Sequence, residues 1–350
     1  MQIDILTDSE AATIRELIAA SQRIIICCHK SPDGDAIGSS LGWAEYLSTQ
    51  GKAASVVIPD MFPDFLRWMA NVEKIVRHDK HKEQVATMFQ QADLIFCLDF
   101  NEPSRLEDMQ QLLLESPAKK VMIDHHLNPK LQDALIISHP EMSSTSELVF
   151  RIIWQLGGFE AMTRKGAASI YCGMMTDTGG FTFNSSMPEI YFIIGQLLTK
   201  RINKDKIYRK VYNNYSSWAI RLRGYILYKK LNVIDHLHAS YFTMTRHEME
   251  QFHFMKGDAE GLVNIPLQIK GMKLSVSLRE DNQQDGVVWV SLRSVDDFPC
   301  NKMAEEFFNG GGHLNASGGK LLCSIREAEE IVRKALTQYE DMLKRCPHSR

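Results

Sequence analysis

Five short apolar runs punctuate the first 140 residues: RIIICCH (23–29), AASVVIP (53–59), DLIFCLDF (93–100), KKVMIDHH (119–126) and ALIISHP (134–140). Each is rich in β-branched residues, has no polar phase and is short for a helix, which predicts strands buried on both faces. Between them lie stretches of helical character, SSLGWAEYLSTQG (39–51), stopped at Gly51, and KHKEQVATMFQQA (80–92). This alternation predicts an open parallel sheet with helices on both faces. A further helical stretch, TRKGAASIYCGMMTDTGGF (163–181), closes on Asp177 and the Gly179–Gly180 pair. After Phe183 the pattern changes. Residues 187–230 read as a helical connector between an N-terminal domain (1–186) and a smaller C-terminal mixed α/β domain (231–350). In the latter, ASYFTMT, GMKLSVSLRE and GVVWVSLRS predict strands, CNKMAEEFF a helix, and REAEEIVRKALTQYEDMLKR a long terminal helix.

Composition narrows the class. The chain has 350 residues, 44% of them hydrophobic and 24% charged, which suits two soluble globular domains. The first twenty residues carry acidic groups and no secretory apolar core, and no window approaches the roughly 20 apolar residues of a membrane span. A cytoplasmic protein without membrane attachment is expected. The seven cysteines are scattered without CxxC spacing and read as reduced thiols. A net charge of −3 argues against a long duplex nucleic-acid track but leaves room for a small phosphorylated substrate.

The chemistry lies where the strands end. In sheets of this kind ligands gather beyond the carboxyl ends of the strands. The first run is followed by HKSPDGDAIGSS (29–40), a Gly and Ser-rich stretch read as a turn holding His29, Asp33 and Asp35. The third ends on Asp99 and the fourth on Asp124, His125 and His126; Asp177 closes its helix. Any one of these reads most simply as a turn or cap residue. Four such groups, in order and at element ends, predict convergence on one rim. Five carboxylates gathered there repel one another unless cations intervene. Oxygen and imidazole donors without thiolate favour Mn²⁺, with Mg²⁺ or Co²⁺ tolerated, and exclude a cysteine zinc site. Seven candidate ligands exceed the needs of one ion and suit two ions sharing a carboxylate.

Two further features stand outside that rim. GGGHLNASGG (310–319) begins with Gly310, Gly311 and Gly312, whose missing Cβ atoms would let backbone N–H groups form an anion nest; a flexible turn is the plainer reading. Arg293, at the end of the strand before it, offers a guanidinium suited to phosphate. From Lys200 to Lys230 ten Lys or Arg residues face one acid, Asp205, with six Tyr or Trp residues interleaved. This stretch reads either as a packed connector with solvated lysines or as a surface that holds a nucleotide strand.

Together HKSPDGDAIGSS, the aspartate of FCLDF, DHH, TDTGGF and GGGHLNASGG resemble the DHH phosphoesterases with a C-terminal DHHA1 domain, over about residues 10 to 340. Within that family the similarity is greatest to the NrnA-type hydrolases of nanoRNA, which also dephosphorylate 3′-phosphoadenosine 5′-phosphate (pAp). The resemblance implies one Mn²⁺ on His29, Asp33 and Asp99 and a second on Asp35, Asp99, His125 and Asp177, with Asp99 as the bridge. It further implies that Asp124 orients the histidines, that His126 faces the scissile phosphate, and that Arg293, Gly310, Gly311, Gly312 and His313 hold the substrate's far end. The expected reaction is hydrolysis of short oligoribonucleotides, and of pAp to AMP, by a hydroxide formed between the metals. Cyclic or linear dinucleotides, inorganic poly- or pyrophosphate and long single strands are the alternative substrates. A noncatalytic nucleotide-binding regulator is the alternative class, against which the full acidic set speaks. Oligomeric state stays open, a homodimer being among the options.

Overall fold

The computed structural model describes residues 3–255 and 257–345. The chain divides into two compact units, Met1–Asn214 and Tyr215–Arg350.

The first unit contains six strands: β1 (Ile24–Cys27), β2 (Ala54–Ile58), β3 (Val76–Arg77), β4 (Leu94–Leu98), β5 (Lys119–Asp124) and β6 (Ala134–Ser138). They pair in the order β3-β2-β1-β4-β5-β6, every pair parallel. Five match the apolar runs; β3, two residues at the sheet edge, is too short to carry a pattern. The helices are α1 (Asp8–Ala20), α2 (Gly34–Thr49), α3 (Lys82–Gln91), α4 (Gln110–Glu115), α5 (Thr145–Gln155), α6 (Arg164–Asp177), α7 (Pro188–Thr199) and α8 (Lys204–Tyr212). Successive residues of β1 enter opposite cores. Ile24 and Ile26 pack in the cluster that holds Ile14, Ile37, Val149 and Ile170 from α1, α2, α5 and α6, whereas Ile25 and Cys27 pack with Val85, Phe89 and Leu113 from α3 and α4. Burial on both faces is why these strands show no polar phase. The strand order reverses between β1 and β4, which opens a crevice beyond their carboxyl ends.

One stretch departs from the sequence expectation. Residues 33–38 are not a turn: α2 begins at Gly34, and Asp33 is its N-cap, its Oδ1 accepting from the Asp35 N–H at 2.9 Å and the Ala36 N–H at 3.0 Å. The glycines here serve helix contact. A Cβ on Gly38 would lie 2.6 Å from the Ser169 carbonyl oxygen and 2.9 Å from the Gly173 backbone, so α2 and α6 meet at backbone distance.

The second unit opens with α9 (Ser217–Tyr225), which continues into one π-helical turn (Ile226–Lys230). It then runs through β7 (Asn232–Ile234), β8 (Ala239–Met244), α10 (Arg246–Gln251), β9 (Leu274–Glu280), β10 (Val288–Ser294), α11 (Cys300–Phe307), β11 (Gly311–His313), β12 (Ala316–Leu321), α12 (Ile325–Gln338) and α13 (Glu340–Lys344). The sheet order is β11-β12-β10-β9-β8-β7, antiparallel except for β8 beside β9. The fold is thus α/β throughout, with a parallel sheet first and a mixed one second. The terminal stretch breaks at Tyr339 into two helices. The connector expected over 187–230 is divided: Ile193, Leu197, Ile207 and Val211 of α7 and α8 are buried in the first unit, while Leu222 and Ile226 pack with Phe242 and Met244 in the second. Among the described residues no helix is long and apolar enough to cross a membrane, and the six cysteines are free.

Candidate functional site

The rim of the parallel sheet gathers the expected residues from five elements. His29 follows β1, Asp33 and Asp35 start α2, Asp99 follows β4, His125 follows β5, and Asp177 ends α6. His29 and Asp99 therefore flank the crevice between β1 and β4. Asp99 has φ 65°, the left-handed region that few side chains other than Asn and Asp adopt, and its N–H still donates to the Ile123 carbonyl at 3.2 Å. The strained residue turns the chain out of β4 while its carboxylate stays buried.

Hydrogen bonds fix which atoms face the crevice. His29 Nδ1 lies 2.8 Å from the Lys30 carbonyl oxygen and His125 Nδ1 lies 3.2 Å from that of Met142; since a carbonyl only accepts, both Nδ1 atoms carry the proton. Each Nε2 is left toward carboxylates. His29 Nε2 is 3.6 Å from Asp99 Oδ2 and 3.9 Å from Asp33 Oδ1, and His125 Nε2 is 3.6 Å from Asp99 Oδ1 and 3.4 Å from Asp177 Oδ2. These separations exceed a good hydrogen bond. Donor atoms of His29, Asp33 and Asp99 lie within 4.8 Å of one another, as do those of Asp35, His125 and Asp177.

The electrostatics show what the cluster lacks. Burial drives the His29 imidazole down, but the nearby Asp99 carboxylate and the charge of Asp33 outweigh it and set it at about 9. Burial would likewise raise Asp99, yet His29, His126 and His125 hold its carboxyl far below the usual carboxylate range. Asp35 is held well above its ordinary value by burial and then by the charges of Asp99 and Asp177. Asp35 is thus held up first by burial and then by its acidic neighbours, both of which a cation beside it would offset. Oxygen donors together with imidazole Nε2 atoms, which would give up their protons to a metal, fit hard or borderline divalent cations.

Asp124 and His126 pair beside Asp99, whose Oδ1 is 3.9 Å from His126 Nδ1. Asp124 is fully buried, its Oδ1 2.8 Å from His126 Nδ1 and its Oδ2 accepting the His126 backbone N–H at 3.1 Å. The carboxylate thereby fixes the ring plane and keeps His126 Nδ1 as the protonated nitrogen.

Several supporting residues escaped the sequence reading. At the start of α5, the Thr145 and Ser146 N–H groups donate to the two oxygens of Asp35 at 2.7 and 2.9 Å, and Thr145 Oγ1 donates to Asp99 Oδ1 at 2.9 Å. Behind them the buried pair Arg151 and Glu147 closes at 2.7 Å, and Glu147 also accepts from the Ser143 N–H and hydroxyl. The signal was present as SSTSE (143–147), in which Ser144 caps the helix by accepting the Glu147 N–H at 3.0 Å. What sequence could not show is that the capped end points at Asp35.

The glycine-rich stretch is a β-hairpin and not a nest. Gly310 N–H donates to the Ala304 carbonyl at 3.2 Å, and Gly311 and Gly312 pair with Gly318 and Ser317 in β11 and β12. Gly310 is required for close approach, since a Cβ there would lie 1.8 Å from the Gly318 carbonyl oxygen. Arg293 of β10 and His313 of β11 are both register partners of Ala316, so the two side chains share one face of the sheet, two strands apart. Asn315 Nδ2, another residue the sequence reading passed over, donates to Ser294 Oγ at 2.9 Å and ties the hairpin tip to the end of β10.

Known proteins provide the context. The model described as DHH family, N-terminal domain, matches residues 23–174, and the DHHA1 domain model matches residues 239–342. The crystal structure of an exopolyphosphatase-related protein from Bacteroides fragilis is 47% identical, the match covering 97% of this chain and 100% of that one with a TM-score of 0.92. The bifunctional oligoribonuclease and PAP phosphatase NrnA of Thermus thermophilus is 29% identical over 326 residues, 92% of this chain and 91% of the relative. The cyclic-di-AMP phosphodiesterase PdeA of Listeria monocytogenes is 24% identical over 337 residues, but this chain spans only 49% of its length.

Proposed function

Because the chain belongs to the DHH family of phosphoesterases and carries a C-terminal DHHA1 domain, we propose that this hydrolase acts on short oligoribonucleotides and on pAp, using two divalent cations, Mn²⁺ first among them. The observation that carries the reading is the rim itself. Two sets of donors, His29 with Asp33 and Asp99, and Asp35 with His125 and Asp177, adjoin at Asp99, and both histidines have committed their Nδ1 protons to carbonyls. His29, Asp33 and Asp99 would hold one cation, and Asp35, Asp99, His125 and Asp177 the other. When bound, the cations supply Lewis-acid polarisation of the phosphoryl group and lower the pKa of water from about 15.7 toward about 7. The chain's own residues do the positioning. Thr145 and Ser146 keep Asp35 aimed by two backbone donors, Thr145 Oγ1 does the same for Asp99, and Asp124 orients His126, whose imidazolium form would donate from Nε2 to a phosphoryl oxygen. Arg293 and His313, on one face of the second sheet, would hold the far phosphate or base, with Gly310, Gly311 and Gly312 shaping the strand beside them.

Similarity to NrnA along nearly the whole of both chains supports the choice of substrate. The absence of a basic excess supports a preference for short strands, because phosphates beyond the site gain no general attraction. Free thiols among the described cysteines support a cytoplasmic enzyme. The test is a Mn²⁺ assay at fixed salt on 5′-labelled oligoribonucleotides of graded length, pAp, cyclic-di-AMP and inorganic polyphosphate. The expected result is a kcat/KM maximum at about two to five nucleotides, with pAp also cleaved. A rate still rising at about 20 nucleotides, or preference for cyclic-di-AMP or polyphosphate, overturns the substrate assignment while leaving the phosphoesterase class intact.

A further inference from the structure

The basic, aromatic stretch that starts at Lys200 is not used by the reading above, and its first half folds onto the first unit as α8. There Lys206 and Lys210, with Arg164 and Lys165 from the first turn of α6, line a cavity of about 390 Å³ together with Trp68 and Ile202. No aspartate or glutamate lines it. The Lys210 ammonium lies over the Trp68 ring, 5.1 Å from its centre, and none of the four cations takes part in an ion pair among the described residues. Glu45, at the same end of α6, is engaged by Thr163 Oγ1 and the Asn71 amide and does not line the cavity. The groove further along α6, lined by Tyr171, Tyr208 and Arg209, differs: its Lys204 is paired with Asp205 at 2.7 Å.

Arg164, Lys165 and Lys206 are exposed and Lys210 is half-buried, so solvent screens their repulsion, and the four together still attract an anion. Burial and then the charge of Lys206 hold the Lys210 ammonium below its ordinary value, in keeping with that crowding. A lone phosphate would use only the charges. The aromatic and aliphatic part of the lining suits a flat apolar group, and the volume lies in the range of small-molecule pockets. We propose that this cavity is an accessory site for a nucleotide carrying two or more phosphates, with Trp68 and Ile202 receiving the base and Arg164, Lys165, Lys206 and Lys210 the phosphates. α6 ends at Asp177 and lines the cavity from Arg164 to Ser169, so the site lies about 12–20 Å along the helix from the rim.

The experiment titrates the full chain with ADP by calorimetry in excess chelator, so that cations at the rim cannot draw phosphates there. Saturable binding is expected. It should weaken at least about tenfold in Lys206→Ala/Lys210→Ala and again in Arg164→Ala/Lys165→Ala, while Tm and Mn²⁺-dependent hydrolysis of bis-p-nitrophenyl phosphate stay unchanged. Absence of ADP binding, or binding unaltered in both double variants, overturns the site. Pyrophosphate bound as tightly as ADP overturns the role of the base. An oligoribonucleotide of about ten residues bound more tightly than ADP, and lost in the same variants, replaces the nucleotide site with a strand track.

Discussion

At the rim of the parallel sheet, donors arrive from β1, α2, β4, β5 and α6, far apart in the chain, and most are buried with their orientation fixed by backbone partners. In the second unit, Arg293 and His313 sit two strands apart in one local sheet, half-buried and brought to one face by strand register. The first arrangement needs several elements packed at backbone distance; the second needs three strands of one sheet in register. The difference suits a division between chemistry, which tolerates little displacement, and recognition, which depends on charge and reach.

The largest expected effect tests the shared carboxylate. Asp99→Asn keeps a side chain that tolerates a left-handed backbone, so the fold should persist. Mn²⁺-dependent turnover should fall on the order of 10²–10³-fold or more, with calorimetry showing loss of at least one bound cation. Near-normal turnover would break the two-cation reading of the rim and the contrast with the hairpin.

Metal removal comes next. The His29 imidazole sits at about 9 in the folded chain against an ordinary 6.5, so protonation favours the folded state. That stabilisation is complete below pH 6.5 and lost as pH rises through about 9. Asp35, also held up, acts in the same direction. Chelator-treated protein should therefore lose on the order of a few kcal/mol between these limits, followed as Tm. Added Mn²⁺ should flatten the profile, and a flat profile in chelator would sink this account of the rim.

Arg293→Ala probes the other region. It should reduce kcat/KM by about 1.5–3 kcal/mol equivalent on substrates with a phosphate at the held end, and leave bis-p-nitrophenyl phosphate unaffected. Equal losses on both would assign Arg293 to folding or to the rim.

The smallest effect sharpens the comparison with two alanines. Gly38→Ala forces α2 away from α6 and should cost about 1–3 kcal/mol in denaturant unfolding. Gly311→Ala meets nothing closer than the Glu305 side chain at 3.8 Å and should change stability by less than about 0.5 kcal/mol. Equal costs at the two glycines would show that the hairpin is as tightly constrained as the helix pair.

Local chemistry by itself determined much of this molecule. β-branched runs buried on both faces can only be central strands of a covered sheet, and an imidazole or carboxylate at the end of such a strand has nowhere to go but the rim. That is why the convergence of His29, Asp99, Asp124 and His125 at one rim was legible, and why Asp177 could be grouped with them. Strand β3 is too short to announce itself, and the glycines of 33–38 have the same composition whether they make a turn or a helix contact. Only tertiary packing decided that Gly38 lets α2 touch α6, that the capped end of α5 delivers two N–H groups to Asp35, and that the three glycines at 310–312 belong to a hairpin. Each of those outcomes depends on a partner more than a hundred residues away or on strand pairing, and nearest-neighbour preferences carry no information about either.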